Sequence, residues 1–182
     1  VHWFDRRRMP YDPGRVKRIL VINTTAIGDT LLSTPALRQL RRFWPQAQLV
    51  ALASPAAEQV LRHNPHINEI ILHPGRVDLR YLVQLPRLLR AVRRGFDLAV
   101  ILHANDPDAV PLAYLSGAPH RYGWAESRLA VLLTMPVPTR QPGWQGLTEK
   151  IRNLQQLGSD SDDEQMELVL TEEEKAAARA FL

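Results

Sequence analysis

Cysteine is absent from the 182-residue chain, which excludes disulfides, thiolate metal sites and a cysteine nucleophile. Lysine is scarce: 20 of the 23 basic residues are arginine, the side chain best suited to bidentate contact with phosphate or carboxylate. No stretch approaches the roughly 18 apolar residues that a membrane-spanning helix needs. Arg6-Arg7-Arg8 stand near the start, but no apolar core follows them, so the first residues do not read as a secretory signal. The dinucleotide fingerprint G-x-G-x-x-G is missing. Neither an internal repeat nor a low-complexity tract is present.

What remains is the composition of a globular protein, 45% apolar and 23% charged. The net charge of +4 hides an asymmetry. Residues 1–95 hold 16 Lys/Arg against 6 Asp/Glu, a balance of +10, and residues 96–182 hold 7 against 13, a balance of −6. A basic first half admits an acidic partner, whether nucleic acid, anionic lipid head groups or a phosphorylated saccharide. No helix-turn-helix, aromatic platform or zinc motif supports nucleic acid.

Residues 1–15, with Pro10, Pro13 and Gly14 and no periodicity, read as a flexible arm. Val16–Ile22 reads as a strand buried on both faces. A small polar loop, Asn23–Asp29, leads into an amphipathic helical stretch to Trp44, with Pro35 in a first turn and Thr34 as its N-cap. The unit recurs. Strands are expected at Gln48–Ala53, Glu69–Leu72 and Phe96–Leu102, and helices at Pro55–Arg62, Tyr81–Arg94 and Pro107–Ser116. In the second of these helices Leu82, Leu85, Leu88, Leu89 and Val92 are expected inward, with Gly95 as the stop. Arg121-Tyr122-Gly123 reads as a short edge strand, Leu129–Pro142 resists assignment, Gln145–Leu157 reads as a helix and Met166–Leu170 as a strand. Alternating strands and helices imply a Rossmann-like parallel sheet sandwiched by helices, spanning 16–170. Thr171-Glu172-Glu173-Glu174 is a capping box opening a helix over 171–182 that has no stop signal. Together with a first residue that is not Met, this suggests a longer parent chain whose further domain the helix would lead to.

In such sheets ligands sit at the carboxyl ends of the strands, so the loops after Ile22 and Leu102 are the places to look. The first, Asn23-Thr24-Thr25-Ala26-Ile27-Gly28-Asp29, offers backbone N–H groups and hydroxyls and then a carboxylate at the mouth of a helix. Asp29 there reads in two ways: as an acid capping the helix, or as a carboxylate kept ionised by the helix dipole and able to take a proton from a sugar hydroxyl. The second loop carries His103 beside Asn105, Asp106 and Asp108, where His103 is either a cleft residue or a satisfied loop histidine. His63-x-x-His66 has ligand-like spacing, but Pro65 breaks the helix and no third ligand is evident, so no metal site is expected. Arg87, Arg90, Arg93 and Arg94 give one helix a basic side, either solvated or attractive to anionic lipid. Asp160, Asp162, Asp163 and Glu164 read as a solvating loop.

The stretch Ile19–Leu37 with its Gly28-Asp29 pair resembles the N-terminal signature of glycosyltransferase family 9, the ADP-heptose–lipopolysaccharide heptosyltransferases. Phe96-Asp97-Leu98-Ala99-Val100-Ile101-Leu102-His103, Ala113–Gly123 with its Leu-Ser-Gly-Ala-Pro run, and Glu149–Gly158 agree in order and spacing. The resemblance covers nearly all of residues 16–182 but only the N-terminal half of the family's length. It implies the acceptor-binding half of a two-domain GT-B enzyme that inverts the anomeric carbon without a metal or other cofactor. Asp29 would be the base and Thr24, Thr25 and Gly28 would line the cleft; His103 and Asn105 join them as substrate-binding candidates from the second loop. The implied partners are a saccharide or lipid-linked saccharide acceptor and a nucleotide-sugar donor, ADP-heptose, bound mainly by the other half. The implied location is the cytoplasm, with peripheral contact at the inner face of the inner membrane. The chain departs from the family pattern at Asn23, where many members carry a basic residue, and at Ala26, where a hydroxyl is common. These departures and the missing donor half motivate an alternative, a non-catalytic half-enzyme that binds a saccharide or a protein; by itself the 182-residue chain is expected to be inactive in transfer.

Overall fold

The computed structural model describes residues 10–75, 79–103, 107–138 and 146–181. Its centre is set by the aliphatic run of β1 (Arg18–Asn23), in which successive side chains point to opposite faces. Ile19 and Val21 enter one core layer with Leu37, Leu40, Leu61 and Leu154. Leu20 and Ile22 enter the other with Tyr81, Leu88, Val92 and Leu112. Buried on both faces, as strands of a helix-covered parallel sheet are, β1 lies between β2 (Gln48–Ala53) and β4 (Leu98–Ile101). With β3 (Glu69–Leu72), β5 (His120–Trp124) and β6 (Met135–Val137), the sheet runs β3-β2-β1-β4-β5-β6, every neighbouring pair parallel. This is the expected Rossmann-like sandwich.

The helices are α1 (Ile27–Leu31), α2 (Thr34–Phe43), α3 (Pro55–Leu61), α4 (Leu79–Val92), α5 (Ala109–Leu115), α6 (Gly146–Leu154) and α7 (Glu172–Phe181). Residues of α2, α3 and α6 fill the first core layer, and residues of α4 and α5 the second.

Several expectations need correction. The stretch to Trp44 is two helices, not one: Pro35 has no N–H to give the Leu31 carbonyl four residues back, so α2 starts afresh with Ser33, not Thr34, at its N-cap position and Pro35 in its first turn. The Thr34 hydroxyl instead donates to the carbonyl of Leu31 at 2.8 Å. Leu82 is not inward but 57% exposed, and Tyr81 takes the inward place. Arg121–Gly123 is not an edge: β5 is covered by β6, drawn from the unassigned stretch. Met166–Leu170 forms no strand, and Met166, Leu168 and Leu170 are exposed. The segment is held to α2 by polar contacts instead. Arg38 bridges Asp163 at 2.7 Å and Glu167 at 3.3 Å, and the Glu167 N–H donates to Thr34 Oγ1 at 2.9 Å. Asp163 also pairs with Arg42, so it does more than solvate its loop. The capping box forms as written: Thr171 N–H donates to Glu174 Oε2 and Glu174 N–H to Thr171 Oγ1. Of the arm, residues 10–15 lie against the sandwich, with the Trp44 indole donating to Pro13 O and the Tyr11 hydroxyl to Leu157 O.

Gly158 ends the last turn after α6 with φ +97°, and a Cβ built there would lie 3.2 Å from the Phe43 ring. Both the left-handed backbone and the contact disfavour a side chain. Gly158→Ala is therefore expected to lower stability by about 1–2 kcal/mol, read as a lower urea midpoint at unchanged slope.

Candidate functional site

The strand order reverses between β1 and β4, since the chain runs from β1 outward through β2 and β3 and returns to β4 on the other side. Connections on the two sides diverge there and leave a crevice at the carboxyl ends. The two loops singled out in the sequence leave β1 and β4 at this point. Ile22 pairs with Ile101, which brings the following residues side by side.

The first loop is braced from within. Asn23 is fully buried; its Oδ1 accepts from the Thr25 hydroxyl at 2.7 Å, and the Thr25 carbonyl accepts from Ser54 at the end of β2. Thr25 thus supports the loop and does not face the crevice, whereas Thr24 is half-buried. The bracing leaves Ala26, Ile27 and Gly28 outward. A Cβ built on Gly28 meets nothing within 4 Å, so no neighbouring protein atom demands the glycine and the space beside it is open.

Asp29 lies in the first turn of α1 but does not cap it: Ala26 holds the N-cap position, and the Asp29 carboxylate accepts no backbone N–H among the described residues. Its side chain is 45% exposed, and its Oδ2 lies 3.6 Å from His103 Nε2. The crevice therefore brings Asp29 and His103 together, as the two-loop argument requires. Asn105, the remaining candidate, lies outside the described residues.

Sequence reasoning missed what lies beneath Asp29. Lys150 of α6 is buried, and its Nζ donates to the Asp29 carbonyl at 3.2 Å and to Ser33 Oγ at 2.8 Å. The Ser33 hydroxyl donates to the same carbonyl at 2.8 Å. Asp29 is thus gripped by its backbone while its carboxylate remains open. Burial of the ammonium lowers the Lys150 pKa to about 8, against an upward pull from the Asp29 and Glu149 carboxylates.

A second polar knot stands at the same end of the sheet. The Gly75 N–H donates to His73 Nδ1, which leaves Nε2 to donate to Asp108 Oδ2 at 2.7 Å, and the Tyr81 hydroxyl donates to the same oxygen at 3.2 Å. Burial pushes the Asp108 carboxyl up, but the His73 and Tyr81 contacts outweigh it and hold it below its ordinary value. Asp108 occupies the N-cap position of α5 without capping it, because these two partners take its oxygen instead. The knot ties the chain entering α5 to the end of β3.

The paired histidines part company. His66 Nε2 lies 3.1 Å from Glu167 and His63 Nε2 4.0 Å from Glu174, two carboxylates of the C-terminal segment.

No protein-family model matches the chain. It is similar to lipopolysaccharide heptosyltransferase 2 of Escherichia coli K12, 29% identical over 137 residues that make up 73% of this chain and 38% of that protein. It is 30% identical over 119 residues to lipopolysaccharide heptosyltransferase 2 of Salmonella typhimurium, covering 63% of this chain and 33% of the relative. Among solved structures, a glycosyltransferase family 9 protein from Veillonella parvula superposes with a TM-score of 0.76 at 24% identity, over 91% of this chain and 48% of that one. The chain spans 33–38% of the length of these two curated relatives and about half of that solved structure.

Proposed function

We propose that this chain, a glycosyltransferase family 9 heptosyltransferase-like polypeptide by sequence and fold, forms the acceptor-side half of an inverting GT-B enzyme. In this reading it moves heptose from a nucleotide-heptose such as ADP-heptose to a lipopolysaccharide-type saccharide, in the cytoplasm at the inner face of the inner membrane. The observation that carries the reading is the Asp29 carboxylate, half-exposed at the strand-order reversal, free of capping duty and next to open space at Gly28. An acceptor hydroxyl placed there gives its proton to Asp29 as its oxygen attacks the anomeric carbon. The bond to the nucleoside diphosphate breaks on the opposite face, and the diphosphate leaves with the electron pair, which inverts the centre. His103 stands where it can hold Asp29 or a neighbouring sugar hydroxyl, and Thr24 flanks the same loop. Thr25, turned inward, shapes the loop instead of touching sugar.

The test is the protein expressed from its natural reading frame, incubated with ADP-heptose and heptose-deficient lipopolysaccharide. Release of ADP with a matching heptose gain on the acceptor is expected. Acceptor binding without transfer would favour the alternative, a saccharide-binding half-enzyme.

A further inference from the structure

The outer face of α4 has a composition that the sandwich does not need. Tyr81, Leu88 and Val92 point into the core. On the opposite side of the helix Leu82 is 57% exposed and Val83 78% exposed. Arg87 and Arg90 follow on that side, exposed and without a hydrogen-bond or ion-pair partner among the described residues. Arg93 and Arg94, just past the helix, are engaged: Arg93 donates to the Leu115 carbonyl and Arg94 pairs with Glu69. No acidic residue occurs anywhere in Leu79–Val92.

Beside this face lies a groove of about 710 Å³ between β3 and α4, whose lining includes Leu72, Leu88, Arg87, Arg90 and the paired Arg94 and Glu69. Leu72, on its rim, is 58% exposed. Two adjacent exposed aliphatics beside two guanidinium groups that have no partner among the described residues form a mixed apolar and basic face of the kind that marks an interaction site.

We propose that the outer face of α4, with the β3–α4 groove beside it, docks on an anionic phospholipid bilayer. Leu82 and Val83 enter the headgroup boundary while Arg87 and Arg90 meet lipid phosphates, the division of labour of an interfacial amphipathic helix. Charge opposes pairing of this face with the same face of a second copy, which would bring Arg87 and Arg90 of both together. Leu82 and Val83, adjacent on the helix and both exposed, are placed to insert between headgroups. The proposal rests on the cytoplasmic reading above for which membrane is met, but the docking face itself is independent of sugar transfer.

The experiment is flotation of the 182-residue chain with phosphatidylcholine vesicles containing about one-third phosphatidylglycerol, an anionic surface of the kind that attracts basic segments. The chain is expected to float with these and not with pure phosphatidylcholine, and to come off in about 1 M salt, where the screening length is roughly 3 Å. Arg87→Gln with Arg90→Gln should weaken partitioning about thirtyfold. Leu82→Ser with Val83→Ser should weaken it about tenfold while the salt dependence persists. All four side chains are exposed, so far-UV circular dichroism should match the parent. Equal flotation with neutral vesicles, undiminished binding of both variants, or no flotation at all would overturn the proposal. So would binding of soluble polyglutamate in place of vesicles, which would assign the face to an acidic macromolecule. Flotation in a protein that transfers no heptose would leave this proposal standing and remove only the catalytic reading.

Discussion

If Asp29 is the base proposed above, replacing it by asparagine in the protein expressed from its natural reading frame is expected to lower turnover of heptose transfer by about 10²–10⁴-fold, the usual contribution of a positioned general base, while affinity for the nucleotide-sugar is retained. The substitution keeps shape and hydrogen-bonding reach and removes only the ability to accept a proton. It should not disturb the fold. The carboxylate makes no backbone hydrogen bond among the described residues, and the grip on residue 29 is through its carbonyl, from Lys150 and Ser33. A loss of activity in Asp29→Asn therefore reports chemistry and not collapse of the loop, which an unchanged melting temperature would verify. Initial rates at saturating donor and isothermal titration with ADP are the measurements. Turnover equal to the parent's would take Asp29 out of the mechanism; a parallel loss of ADP affinity would place it in donor binding instead.

The parts of the architecture that were legible are those in which one local signal has one physical meaning. The bounds of β2 and β3 match the runs read as strands residue for residue, because short aliphatic runs bounded by turn residues favour a buried strand over a helix of so few residues. The crevice was legible for a topological reason: alternating elements force parallel pairing, and parallel pairing places the loops after β1 and β4 together. Edge strands were harder. β6 contains Pro136, tolerable where no further strand needs its N–H, and a proline in a short run reads as a break. In α4 the apolar stripe is broad enough for either Tyr81 or Leu82 to face inward. The choice falls on Tyr81 because its hydroxyl can reach Asp108, a partner no helical period records. The two polar knots were invisible for the same reason. His73 meets Asp108 across 35 positions, and Lys150 meets Ser33 across 117. One compositional trace of Lys150 did exist: it is one of only three lysines in a chain that otherwise uses arginine. An ammonium is compact enough to be enclosed and can yield its proton when buried, and a guanidinium does neither well.

That enclosed ammonium makes stability depend on pH in a direction opposite to most ion pairs. The folded state holds the Lys150 proton only to about pH 8, whereas the unfolded chain holds it to the ordinary value of 10.5. Between those limits the unfolded state binds more protons, so stability rises with pH. Below pH 8 the charge is carried in both states and its burial penalty is fully present. Above 10.5 it is absent from both. In Lys150→Met this gain disappears. The difference in unfolding free energy, parent minus variant, should therefore grow by about 3 kcal/mol from pH 7 to pH 10.5, read from urea titrations across that range. Tyr81, pushed up to about 12 by burial and by Asp108, and the similarly raised Tyr11 and Tyr122 erode stability at the alkaline end. They do so in parent and variant alike and cancel from the difference. A flat difference would mean that Lys150 is hydrated and makes no enclosed bond to the Asp29 carbonyl. A chain that keeps a destabilising charge directly beneath Asp29 holds that loop in place at the expense of its own stability, the pattern expected where position serves a site and not the fold.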